Sequence, residues 1–372
     1  MQLLNSLPNQ AATSLDNRVL EALHDIASHV QLQSNFWICH PAYKSLELPE
    51  EAVAHFQRLP AELQTKFWRS RLQGFLYGVY YNGSLRQKLA IDADSTGLEL
   101  QQNLENNTFQ GVDLQFYDRL HEHNWGEGNF EPGWQVLSQE SNGNLVVTKD
   151  GLTLHIEPER HLMPGHLATS IGKVVAIRLP KNRLQSGFYL AVGNTSSPSK
   201  AEQQAQTVRI YFNVSPEGAL QLMSGITKHL NAAEIPFQFK ALYNPSDYDR
   251  YDAAVLYIQK RDYERVRQVL QTLYTEVQPH VELATPLFTK VLAPGIGLAE
   301  EPNHKFAAQE SFGTHRCRIV ANGLLEAWQT GNNTPQHRIQ SILTNFSRLG
   351  IDLSCPYLNA NSEDIYVPLT LC

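Results

Sequence analysis

Long apolar runs are missing from this chain. No stretch approaches the ~18 consecutive apolar residues of a membrane span, and Met1 to Ala12 has no basic region leading into an apolar one, as a signal peptide would. These absences speak against a membrane-spanning helix and make the cytoplasm the expected location. Cysteine is scarce as well. Cys39, Cys317, Cys355 and Cys372 form no C-x-x-C pair and have no histidine at metal-ligand spacing, so neither a zinc site nor a disulfide framework is expected. Charged residues are only 18% of the chain, below the ~25% of an average protein. The formal charge of −7 excludes general nucleic-acid binding, which needs a dominant basic field.

What is present is a polar surface rich in Asn and Gln and a hydrophobic content of 42% over 372 residues, enough for one large domain or two ordinary ones. No internal repeat is visible. Leu20, Leu23, Ile26, Ala27 and Val30 share one face of a helix that Ser14 or Asp16 would cap. A second helix is expected from Pro60 through Arg69, followed by the aromatic run Phe75 to Tyr81, read as core. From Asn103 to Asn129 the chain turns polar and loses periodicity, which places a boundary near residue 130.

Beyond that boundary short strands alternate with turns. Trp134 to Ser138, Asn144 to Lys149, Leu152 to Glu157 and Val174 to Leu179 are expected strands, with Asn142-Gly143 and Asp150-Gly151 as hairpin turns. Gly187 to Gly193, Thr207 to Val214, Phe237 to Leu242 and Ala253 to Ile258 follow, with Asn194 to Gln206 as a loop and Pro286 to Leu292 extended. Helices are expected after Pro216, over Asp262 to Glu276, and over Phe312 to Trp328 and Pro335 to Leu349. Runs of strands with helices that do not strictly alternate indicate α+β: a mostly antiparallel sheet flanked by helices, with an amino-terminal helical region. The domain division is 1–130, helical, and 131–372, α+β.

In Val208 to Val214 the period is two, so Arg209, Tyr211 and Asn213 share the face opposite Val208, Ile210 and Phe212. In Phe237 to Ala241, Gln238 and Lys240 form another polar face beside buried phenylalanines. Either face is equally readable as solvated surface. A strand-held lysine, if desolvated among other cations, can act as a general base. Arg250 ends a turn rich in Tyr and Asp just before a buried strand; its fork suits a phosphate, and a salt bridge to Asp247, Asp249 or Asp252 is the ordinary alternative. Ser311 as an N-cap would put His315 and Arg316 in the first turns of a helix, where anions are favoured, and with Lys290 they form a second basic corner. Gly295-Ile296-Gly297 lacks the βαβ setting of a dinucleotide fingerprint. His155, His161 and His166 straddle prolines and fit no standard metal site, so no metal is expected; they would matter if the protein were an unrelated small-molecule enzyme.

Several ordered motifs together resemble one family. Gly187-Phe188-Tyr189-Leu190-Ala191-Val192-Gly193, Arg209-x-Tyr211-x-Asn213, Tyr251 to Tyr257, Ala293-Pro294-Gly295-x-Gly297-x-Ala299-Glu300-x-Pro302 and Ser311-Phe312-Gly313-x-His315-Arg316 look like the HopA-type effector family, over roughly Trp134 to Trp328. That family includes type III effectors of plant pathogens and lyases encoded beside kinases in clusters for class V lanthipeptides. More remotely, the spacing of Arg209, Tyr211, Lys240, Arg250 and Arg316 is similar to that of bacterial phosphothreonine lyases.

The resemblance implies β-elimination of phosphate from phosphoserine or phosphothreonine without cofactor or metal. It implies Lys240 as the base at Cα, Arg209, Arg250 and Arg316 as phosphate ligands, and Tyr211 in the place of the general acid. There tyrosine replaces histidine. A phenol with a pKa near ~10 protonates a departing phosphate less readily than imidazolium, and His315 could substitute. The implied partners are a phosphorylated precursor peptide and a separate Ser/Thr kinase. The alternative is a non-catalytic peptide-binding or effector-like protein that uses the same basic face.

Overall fold

The computed structural model describes residues 17–92, 111–195 and 207–371. The N-cap candidates Ser14 and Asp16, the amino-terminal segment through Ala12, most of the Asn194 to Gln206 loop, and Cys372 lie outside the described residues. Helix α1, Asn17–His29, buries Val19, Leu23, Ile26 and Ala27. Three short strands form a small sheet in chain order: β1 (Gln31–Leu32), β2 (Ile38–His40) and β3 (Tyr43–Leu46). None is long enough to show alternation. Helices α2, Glu50–Gln57, and α3, Ala61–Leu76, follow. The sequence places the end of α3 near Arg69; it runs a further two turns because Leu72, Phe75 and Leu76 continue the buried stripe begun by Trp68. It ends in a π-helical turn, Tyr77–Tyr81, all five residues of which are buried.

The polar stretch before residue 130 holds a helix that periodicity missed. This is α4, Leu114–His123, capped by the Asp113 side chain on Phe116 N–H. It buries only Phe116 and Leu120, so its apolar stripe is two residues. Strands β4 (Phe130–Gln139), β5 (Leu145–Lys149), β6 (Leu152–Ile156) and β7 (Val174–Arg178) make a sheet of order β6-β5-β4-β7 over a small core of Trp134, Val136, Val147 and Ile177. Between β5 and β6, Asp150 and Gly151 both take positive φ, 50° and 81°, as the turn that matches strand twist requires. A one-turn helix α5, Pro158–His161, leads to β7.

The central sheet has seven strands, every neighbouring pair antiparallel. They are β8 (Asn182–Gln185), β9 (Phe188–Val192), β10 (Thr207–Phe212), β11 (Gln238–Leu242), β12 (Ala254–Gln259), β13 (Lys290–Ala293) and β14 (Ile296–Glu300), in the order β13-β14-β10-β12-β11-β9-β8. Strand β14 carries the weak G-x-G. Gly295, at φ 70°, turns the β13–β14 hairpin, and a Cβ on Gly297 would lie 2.5 Å from the Thr289 hydroxyl. These glycines serve chain reversal and close packing.

Val208, Ile210, Phe212, Phe239 and Leu256 face helices α6 (Pro216–Ala232) and α7 (Tyr263–Val277), whose Leu220, Met223, Ile226, Val266 and Leu270 fill the first core. The opposite face is where the solvated reading of the polar residues fails. Tyr211, Val255 and Ala299 belong to a second core with Trp68, Leu72 and Tyr81, and with Phe312, Leu324 and Ile342 of α8 (Phe312–Gln329) and α9 (Pro335–Arg348). That core joins residues on both sides of position 130. The protein is α+β, with helical layers on both faces of its main antiparallel sheet. No helix among the described residues is long and apolar enough to cross a membrane.

Candidate functional site

Strand register assembles the site. Tyr211 lies opposite Val255, and Val255 opposite Lys240, so the tyrosine and the lysine sit in one row, on one face, two strands apart. Roughly 10 Å separates alternate strands. Arg209 is the next residue of β10 on that face, over the ring of Tyr257 at 5.1 Å. The turn before β12 contributes Arg250 and Asp252. The π-turn contributes Tyr77 and Tyr81, and Ser311, which caps α8, closes the ring of residues. Together with Phe188 and Val255 they line a cavity of about 10 Å³, the space of one water-sized sphere.

Three cations line this space against one carboxylate. Lys240, 6% exposed, places its Nζ 4.2 Å from the Phe188 ring centroid and 5.7 Å from that of Tyr257. Arg250 grips Asp252 with two hydrogen bonds, 2.5 and 2.9 Å. Asp252 also accepts from the Tyr77 hydroxyl at 3.0 Å and from Asn82 Nδ2 at 3.1 Å. Burial opposes its charge; Arg250 and these donors outweigh burial and hold its carboxyl below the usual range. Arg209 pairs with Glu301, which Lys305 also binds. Burial again opposes the Glu301 charge, and the two cations hold its pKa down.

The tyrosines differ from the cations in having too few partners. Tyr211 is 2% exposed and Tyr81 is 1% exposed, and neither hydroxyl has a hydrogen-bond partner of ordinary geometry among the described residues. Their rings meet edge-on with centroids 6.4 Å apart, and each influences the other's ionisation. Burial raises both pKa values well above the usual phenol value, so both are protonated donors at neutral pH.

Arg316 is fully buried beside the cavity without lining it. Its Nε donates to the Pro356 carbonyl (2.8 Å), Nη2 to the Leu358 carbonyl (2.9 Å) and Nη1 to His315 Nδ1 (2.8 Å), and burial lowers its pKa to about 10. His315 stacks on Phe306, and burial followed by the Arg316 charge lowers its pKa to about 3. A ring that is neutral at pH 7 and accepts from Arg316 at Nδ1 positions the guanidinium; it is not the imidazolium that a general acid would be. Lys290 lies on β13, outside the cavity lining, bonded to Asp364 at 2.6 Å. The structure brings Lys240, Tyr211, Arg209 and Arg250 onto one cavity, with Lys290 outside its lining.

His155 pairs with Glu140 at 2.8 Å, and His161 bonds the Glu157 backbone carbonyl. Among the described residues, one group of side chains is spaced for a metal: Asp25, His29 and His40. His40 Nδ1 accepts from Ala42 N–H at 3.1 Å, so the ring proton sits on Nε2, toward the Tyr80 hydroxyl and Asp25. A metal-bound histidine has the opposite arrangement, with its second nitrogen donating.

Sequence reasoning missed Tyr77, Tyr81 and Glu301, and named Asp252 only among three possible ion-pair partners of Arg250. Tyr77 and Tyr81 read as ordinary core aromatics, and only Gly313, whose added Cβ would lie 2.3 Å from Tyr81, carries a sign of them.

Comparison with known proteins bears on the same region. The profile described as the HopA1 effector protein family matches residues 179–358. No curated protein matches. Among the similar solved structures are two effector proteins of Pseudomonas syringae. That from pv. tomato strain DC3000 is 16% identical, with a TM-score of 0.39, covering 67% of this chain and 81% of its own. That from pv. syringae strain 61 is 14% identical, with a TM-score of 0.40, covering 82% of this chain and all of its own.

Proposed function

Over residues 179–358 the chain belongs to the HopA1 effector protein family, and from that premise we propose that it is a lyase that eliminates phosphate from phosphoserine or phosphothreonine in a peptide, leaving dehydroalanine or dehydrobutyrine. The observation that carries the proposal is the convergence of Lys240, Arg209, Arg250 and Tyr211 on one buried cavity. A phosphate brings about −1.5 to −2 charges, which the cationic lining can match once Arg209 and Arg250 share their present carboxylates with it. Arg316 adds to the positive field from behind.

In the reaction Lys240 takes the proton from Cα, the electron pair forms the Cα=Cβ bond, and the Cβ–O bond breaks to release phosphate. Tyr211, protonated and held by no hydrogen bond of ordinary geometry, donates to the departing oxygen. General-base and leaving-group assistance of this kind are each worth ~10²–10⁴ in rate. The substrate is the product of a separate Ser/Thr kinase acting in the same compartment, which this reading places in the cytoplasm. Residues 131–372 supply the base, the acid and the arginines, and the helices of residues 1–130 roof the cavity.

A second reading is favoured by one observation: the cavity holds about one water-sized sphere, and its arginines are engaged. On that reading the protein binds a phosphorylated or acidic peptide without turnover. Incubation with a Ser/Thr-phosphorylated peptide and mass measurement separates the two. Loss of the elements of phosphoric acid supports the lyase, and it is expected to fall by ~10³ or more in Lys240→Ala. Binding with unchanged mass supports the second reading, and full activity in Lys240→Ala removes Lys240 as the base.

A further inference from the structure

Gly313 opens α8 because two rings from the amino-terminal region rest on it: an added Cβ would lie 2.3 Å from Tyr81 and 2.8 Å from Tyr77. The rings stack with centroids 4.9 Å apart at the two ends of the π-turn. Such turns are rare and concentrate at functional sites. Here Asn82 N–H closes the turn onto the Tyr77 carbonyl at 3.0 Å, and the Asn82 side chain ties it to Asp252. From this common base the two tyrosines diverge. Tyr77 gives its hydroxyl to Asp252, whereas the Tyr81 hydroxyl, in the cavity wall, has only the Tyr211 hydroxyl near it and makes no hydrogen bond of ordinary geometry. A buried hydroxyl without a good hydrogen bond is costly, and phenylalanine would fill the same space without that cost. An unmet donor at a cavity is accounted for by a ligand that meets it.

We propose that Tyr81 is a further catalytic residue, donating a hydrogen bond to the backbone carbonyl oxygen of the phosphorylated residue as its α-proton leaves. The inference rests on the lyase reading above. When Lys240 takes the α-proton, the electron pair left on Cα spreads onto that carbonyl oxygen as an enolate. The Tyr81 O–H stabilises the oxyanion without transferring its proton, since burial holds its pKa far above that of a free phenol. The pair then returns to form Cα=Cβ, the Cβ–O bond breaks, and phosphate leaves while Tyr211 donates to the leaving oxygen. The two phenols divide the work by position. Tyr211 stands beside Arg209 on β10, on the phosphate side, and Tyr81 comes from the helical roof above it. The site is therefore incomplete without a residue that lies before the family-matched segment.

The test is Tyr81→Phe in the full chain, assayed for phosphate loss from a phosphoserine or phosphothreonine peptide by mass and for stability by urea unfolding. Removing one oxyanion donor lowers kcat by ~10²–10³. The expected result is a fall of that size with KM within a few-fold and an unfolding midpoint equal to or above that of the unaltered protein, because the deleted hydroxyl was unsatisfied. Turnover of Tyr81→Phe at the full rate overturns this role and leaves the lyase reading standing. An unaltered protein that binds the peptide but releases no phosphate overturns both. A loss of activity matched by loss of folded protein at the assay temperature overturns the role too, since a structural ring contact would then account for it.

Discussion

The two faces of the central sheet are drawn from alternate residues of the same strands and are both buried, yet they are built from different chemistry. Beneath α6 and α7 the contacts are apolar throughout, with Ile210, Phe239 and Leu256 all fully buried. Beneath α3, the π-turn and α8, the same strands present Arg209, Tyr211 and Lys240. Burial of apolar area stabilises at ~25 cal/mol per Å², whereas a buried ion pair rarely improves on apolar residues of the same volume. One face accounts for the folding of the sheet, and the other is intelligible as a place where charge and unmet donors are kept for a ligand.

Neighbouring residues make the sharpest test of that contrast. Phe239→Ala on the apolar face is expected to lose about 3–5 kcal/mol through transfer and cavity terms, while Lys240→Met, one residue away on the other face, is expected to stay within ~1 kcal/mol of the starting stability. Urea unfolding of the two variants measures both, and equal losses would erase the distinction between the faces. A somewhat smaller loss, about 3 kcal/mol, is expected for Asp252→Asn, because the Arg250 guanidinium would stay buried without its counter-charge. A midpoint unchanged at pH 7 would mean that Arg250 finds solvent or another acceptor.

The smallest effect is a slope. The His315 ring titrates near ~6.5 when unfolded but at about 3 in the fold. Between those values the unfolded chain binds more protons, so the contribution is complete above ~6.5 and is lost as pH falls toward 3. His315→Gln keeps an acceptor for Arg316 and is expected to flatten the fall in stability between about pH 6.5 and 4.5, above most carboxylate titration. An unaltered slope in urea midpoints over that range would show that the ring is solvated.

Much of this was legible in the chain itself. The period-two runs of β10 and β11 and the hairpin glycines required only local geometry, and the starts of α6, α8 and α9 followed from Pro216, Ser311 and Pro335. The shared face of Arg209 and Tyr211 was legible for the same reason. Strands β1 to β3 were too short to show a period, and α4 buries two residues only. Lys290 lies on β13, the edge strand of the sheet, and only tertiary contacts show that it bonds Asp364 and stays outside the cavity lining.

Alternation and capping are properties of consecutive residues, so the sequence by itself determined which side chains of each strand point together and that the sheet is antiparallel α+β. Whether the Arg209, Tyr211 and Lys240 face meets water or a second core was decided only by tertiary structure. The answer depends on helices near both ends of the chain closing over it. The same closure leaves Tyr81 and Tyr211 with only each other's hydroxyl nearby and no hydrogen bond of ordinary geometry. A hydroxyl becomes unsatisfied only when every neighbour has been placed, and no local pattern can state that in advance.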